Sequence, residues 1–157
     1  MQCETLLSPF EAVLPLAAEW AREQEQRILR EGQPLSAEQI ADARAVGVRE
    51  PERVRVLRVE EIPAPPHPIL KALSAQIEFL PARPSGLTFQ YGIFLRTDCP
   101  QDRHLVVHEL VHTSQYERLG GIVSFLRDYI KECVTLGYRE SSLEREANEI
   151  ATQICAA

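Results

Sequence analysis

At 157 residues the chain can hold one domain with a real core, and is short for two. Hydrophobic residues make up 45% and charged residues 25%, a globular composition rather than a disordered one. The net charge of −6 leaves no basic excess to neutralise phosphates, which argues against nucleic-acid partners and anionic membranes.

The first twenty residues lack a basic start, and Glu4 and Glu11 interrupt their apolar character, so they do not read as a signal peptide. No apolar run reaches the length of a membrane span, and a soluble cytoplasmic protein is expected. Ser8-Pro9-Phe10-Glu11 carries a helix-start signature, and apolar residues at helical spacing follow it as far as Leu29. Pro15 is expected to kink or split this helix, and Gly32 to stop it. A second capping box, Ser36 to Gln39, predicts a short helix to about Val46, closed by Gly47.

Arg53 to Val59 alternates polar and apolar residues and reads as a strand. Ile62 to Pro68 is a proline-rich connector, Ile69 to about Ala75 a short helix, and Pro81 to Gly86 a turn. Leu87 to Arg96 is rich in β-branched and aromatic residues and reads as one further strand, with Gly92 as a bulge. Helices are expected from about Asp102 to Arg118, from Ile122 to Val134, and from about Ser142 to Cys155. The prediction is an α+β fold in a single domain, 1–157. Its N-terminal helical region spans 1–47, and a core over 48–157 has a strand leading directly into the helix from about Asp102.

That helix carries His108-Glu109-Leu110-Val111-His112, an H-E-x-x-H pattern. Histidines four residues apart project from one helix face, so two imidazoles can reach one zinc at about 2.0–2.1 Å. Glu109 need not ligate: beside the metal it can take a proton from water and later return it to a leaving amine. His104 lies on the same face, but about 12 Å along the axis from His112, too far to share one ion. A position at the helix start, facing solvent or capping, is expected for it.

A catalytic zinc usually has three protein ligands, and no histidine follows His112. The third ligand must be a carboxylate or a cysteine. Glu144 flanks the buried stripe of the last helix beside Ala147 and Ala151, which would let another helix approach closely. Yet Ser141-Ser142-Leu143-Glu144 is itself a capping box, so the residue pattern leaves Glu144 equally a cap or a ligand. Glu117 falls off the histidine face, and Cys133 reads as part of its own helix's buried stripe. Cys3, Cys99, Cys133 and Cys155 form no C-x-x-C pair and are expected to be free thiols.

His108-Glu109-x-x-His112 followed by Glu144-x-x-Ala147-Asn148 resembles the gluzincin metallopeptidase pattern, H-E-x-x-H … E-x-x-A-[D/N]. The nearest likeness is to the small minigluzincin-like bacterial domains, including the H-E-x-x-H domain associated with extracellular contractile injection systems. A strand similar to Gly86 to Leu95 before the helix, and a Gln placed like Gln115, belong to the same likeness. It covers Gly86 to about Ile154 and leaves Met1 to Ala75 uncovered.

The resemblance implies a zincin-like fold, Zn2+ held by His108, His112 and Glu144, and Glu109 as general base. It also implies Tyr138 as a residue that could polarise the scissile carbonyl, and Asn148, where many relatives have Asp, as a neighbour of the ligands. The expected function is a zinc-dependent metallopeptidase acting on a peptide or protein substrate, with the strand Leu87 to Arg96 as a rim where an extended peptide could add. The alternatives are a catalytically inactive zinc-stabilised binding or adaptor module, and a metal-free pH-responsive histidine face.

Overall fold

The computed structural model describes residues 2–68, 70–71, 84–99, 102–136 and 140–156, with backbone alone for 2–10. Among them are five α-helices and a four-stranded mixed sheet, an α+β arrangement. In chain order these are α1 (Gln2–Glu31), β1 (Gln33–Pro34), α2 (Ala37–Ala45), β2 (Arg55–Val59), β3 (Gly86–Phe89), β4 (Gly92–Arg96), α3 (Arg103–Leu119), α4 (Ile122–Leu136) and α5 (Ser142–Ala156). No described helix is long and apolar enough to cross a membrane.

The sheet order is β1-β2-β4-β3. β2 and β4 run parallel, and the two outer pairs are antiparallel. β4 is central and buried on both faces. Ile93 and Leu95 pack with Val106 and Leu110 of α3 and Ala43 of α2. Phe94 points the other way, into a cluster with Leu14, Ala18 and Ile28 of α1 and Phe125 and Ile130 of α4. This two-sided burial fixes where α3 lies, and so where its histidines lie.

Two expectations need correction. Helix α1 begins at Gln2, so the Ser8-Pro9 start lies inside it, and Pro15 neither splits nor ends it. A proline in a helix interior costs about 3 kcal/mol or more. Val13, Leu14 and Ile28 are 7%, 3% and 0% exposed, and each such side chain is stabilised by about 1.5–3 kcal/mol on burial, so packing outweighs the lost bond.

The second correction concerns Leu87 to Arg96, which is not one bulged strand. It is a hairpin, with Phe89 paired to Gly92 across Gln90 and Tyr91, and Gly92 opens β4 in regular register with Arg55. Gln90 has φ 58°, which costs a residue with a side chain about 1–2 kcal/mol. The turn is held from outside: Thr113 Oγ1 donates to the Gln90 carbonyl at 2.8 Å, and the Tyr91 N–H donates to Glu25 Oε2 at 3.0 Å. β1 and the short 3-10 turn Pro51–Arg53 were not foreseen, and the turn shortens the expected 53–59 strand. The expected helix near 69–75 and the turn 81–86 fall largely outside the described residues.

Other boundaries agree with the sequence. Ser36 and Gln39 form the reciprocal box expected of them, at 3.2 and 2.9 Å. Asp102 caps α3 through the His104 N–H, and Gly120 ends it in the left-handed region at φ 98°.

Candidate metal centre

Helix α3 carries its chemistry on a rigid support. Val107, Leu110 and Val111 are fully buried around the motif. Arg103, at its start, grips Asp42 of α2 through two bonds of 2.8 and 3.0 Å.

His108 and His112 project from the same face, with Nε2 atoms 3.2 Å apart. Glu144 of α5 closes on both: its Oε1 is 3.0 Å from His112 Nε2, and its Oε2 3.3 Å from His108 Nε2. These three residues are the one described group of His, Cys, Asp or Glu whose ligand atoms, all within 4.8 Å of one another, could hold a metal ion. Two ligands at about 2.0–2.1 Å from a tetrahedral zinc stand roughly 3.3–3.4 Å apart, close to the spacings here.

The proton count carries the fit further. Gln115 Nε2 donates to the Leu143 carbonyl at 2.9 Å and to Glu146 at 3.0 Å, so its Oε1 is the acceptor facing His112 Nδ1 at 2.8 Å. His112 therefore carries its proton on Nδ1, and in the neutral ring Nε2 is a bare lone pair. That lone pair points at a carboxylate oxygen and at a second imidazole nitrogen. Such a meeting of acceptors needs a proton or a cation between them.

Without a metal, a proton fills the role. Burial, the largest single influence, would lower the His112 pKa. The bond and charge of Glu144, the charge of Glu109 and the Gln115 acceptor outweigh it and raise the pKa from 6.5 to about 9. For Glu144, burial would raise the pKa, but the bonds and charges of His108 and His112 prevail and hold it well below the usual carboxylate range.

The sequence left Glu144 between cap and ligand, and the fold shows how it is spared from capping. Glu132 of α4 takes the start of α5 instead: its Oε2 accepts from the Ser142 N–H and the Ser141 hydroxyl, both at 2.9 Å. Glu144 turns inward and is 5% exposed. The Tyr129 hydroxyl donates to its Oε1 at 2.8 Å.

Glu109 is 4% exposed and lies against β3. Thr88 Oγ1 approaches its Oε2 at 2.6 Å. A methyl group on Gly86 would come within 2.8 Å of its Oε1, so the missing side chain makes room for the carboxylate.

The remaining candidates lie elsewhere. His104 is outside the group: its N–H bonds to Asp102, and its ring lies 3.3 Å from the Thr152 hydroxyl. Glu117 accepts the Arg49 and Glu50 N–H groups at the far end of α3. Cys133 is a buried free thiol whose pKa burial pushes up to about 12. Asn148 is exposed, and the partner of His112 Nδ1 is Gln115 rather than this residue. Tyr138 lies outside the described residues.

Thr88, Tyr129 and Glu132 were missed as site residues. Tyr129 left a signal: a tyrosine on a buried helix stripe needs a partner for its hydroxyl. Thr88 and Glu132 left none, because their contacts are made far along the chain. No protein-family model, curated protein or solved structure matches this chain.

Proposed function

We propose that the chain is a gluzincin-like, zinc-dependent metallopeptidase with His108, His112 and Glu144 as ligands and Glu109 as general base. The observation that carries this reading is the convergence of three ligand atoms on a point where His112 presents a lone pair to a carboxylate, with Glu109 in the same turn of helix, against β3. When bound, zinc would supply Lewis acidity, lowering the pKa of a water toward about 7 and polarising a carbonyl.

The chain's own residues do the rest. Glu109 accepts the proton that the attacking water gives up, and returns it to the leaving amine. Thr88 holds the carboxylate in place for that exchange, and Gln115 keeps His112 in the ligating tautomer. β3 ends the described sheet, and its Gly86 and Thr88 border Glu109, which suits an extended peptide laid along that strand. The substrate class is therefore a peptide or protein.

Metal analysis and a Glu109→Gln variant test the reading. The variant should keep its zinc and lose hydrolysis of a peptide library by about 10²–10⁴-fold. Hydrolysis that persists with zinc in place would remove Glu109 as the base. A second reading, a zinc-stabilised binding module without catalysis, is favoured by the low exposure of the cluster: the side chains of His108, His112 and Glu144 are 14%, 7% and 6% exposed. It predicts stoichiometric zinc and no hydrolysis by the unaltered chain.

A further inference from the structure

We infer that Tyr129 is a positioning residue for the third ligand: its hydroxyl donates to Glu144 Oε1, the oxygen that faces His112, and so fixes the orientation in which the carboxylate meets the metal. The inference rests on the ligand set proposed above.

Tyr129 lies on the buried face of α4, 7% exposed, behind the cluster rather than within it. Its ring faces His112 edge-on at 6.4 Å between centroids and stacks on Phe125 at 5.3 Å, with 16° between the planes. Phe125 stacks in turn on Tyr116 at 3.7 Å. The phenol is thus held by an aromatic column that leaves its hydroxyl 2.8 Å from Glu144 Oε1.

Glu132, one turn further along α4, grips the start of α5. Helix α4 therefore fixes Glu144 twice, once through the helix that carries it and once through its side chain. A neutral hydroxyl that donates to one carboxylate oxygen draws electron density from it. The bond fixes the rotation of the carboxylate, while Oε1 keeps a second lone pair and Oε2 both of its own for the metal. A neutral donor suits this task, since a lysine there would compete with the metal for charge.

The full-length chain tests this directly. Zinc affinity is measured by competition with a chromophoric chelator for the unaltered chain, Tyr129→Phe, Glu144→Gln and the double variant. Phe keeps the aromatic column and removes only the hydroxyl. Tyr129→Phe should weaken zinc binding by about 10–100-fold, the usual effect of losing a partner of a ligand. In the Glu144→Gln background the same change should have no further effect, because Tyr129 acts through Glu144.

With cobalt in place of zinc, the visible spectrum of Tyr129→Phe should change as the carboxylate, no longer held at Oε1, reorients at the metal. Unchanged affinity in Tyr129→Phe, equal weakening in both backgrounds, or an unchanged cobalt spectrum would each overturn the inference. An unaltered chain that binds no zinc, or a Glu144→Gln variant that binds it undiminished, would instead overturn the ligand set on which it rests.

Discussion

Helix α3 takes part in two carboxylate clusters, one at its middle and one at its C-terminal end, and the two differ in their proton counts. At the C-terminal end, Glu117 meets donors: the Arg49 N–H at 2.8 Å, the Glu50 N–H at 3.2 Å and the Tyr91 hydroxyl at 2.8 Å. Arg53 lies over the Tyr91 ring at 4.0 Å and pairs with Glu50. That cluster is complete as it stands, and it ties the loop before β2 to the hairpin turn and to α3. Around His108 and His112, by contrast, Glu144 meets two imidazole nitrogens, one of them a lone pair by virtue of Gln115. Donors matched to acceptors mark a structural cluster, whereas a lone pair facing a carboxylate marks a place that a proton or a cation must fill.

The contrast is tested most strongly by removing each carboxylate in turn. Glu144→Ala should cost zinc affinity more than the 10–100-fold that follows loss of an outer partner, while Glu117→Ala should leave affinity unchanged. Chelator competition reads both. Equal losses would erase the distinction.

A pH titration of the metal-free protein comes next. The folded His112 pKa is raised above 6.5, so its contribution to stability is complete below pH 6.5 and is lost as pH rises through about 9. The Glu144 pKa is depressed, so its contribution is present above 4.5 and lost as pH falls. The pair therefore stabilises the metal-free fold most between pH 4.5 and 6.5. Urea midpoints in the presence of a chelator should fall from pH 6.5 to 9.5, and a saturating level of zinc should abolish that fall. A Glu144→Gln variant with the same pH dependence would show that other groups cause it.

Gly86→Ala places a methyl group against Glu109 Oε1, the movable end of a side chain, so the carboxylate should shift while the strand stays. Hydrolysis should drop by about 10²-fold with zinc affinity unchanged, since misplacing a reacting group by about 1 Å has that effect. Full activity would mean that Glu109 does its work from another position. The smallest effect belongs to the structural cluster: Glu117→Ala should lower unfolding stability by about 1–3 kcal/mol, read by urea denaturation, because it strips partners from the Arg49 and Glu50 N–H groups.

Local chemistry explains most of what the sequence made legible. The bounds of α3, α4 and α5 follow from caps and 3.6-residue periodicity, interactions that close within a turn. His108, Glu109 and His112 were readable for the same reason, since one turn of helix brings them together. Glu144 was ambiguous because the residue that decides its role, Glu132, sits twelve positions back in another helix.

The hairpin was hidden because Gln90 is not the glycine or asparagine that announces a positive φ. Its stability comes from Thr113 and Glu25, neither of them near it in sequence. Helix α1 was misjudged because Pro15 is a strong local signal that tertiary packing overrides. Local rules thus placed His108, Glu109 and His112 together, while the approach of Glu144 and its supports needed the fold.

Glu132 has a consequence for how the site is built. Because α4 grips the first turn of α5 directly, the register of Glu144 is inherited from a helix and not from the connecting segment. Glu132 is then the pin through which one helix sets the place of Glu144 on the next.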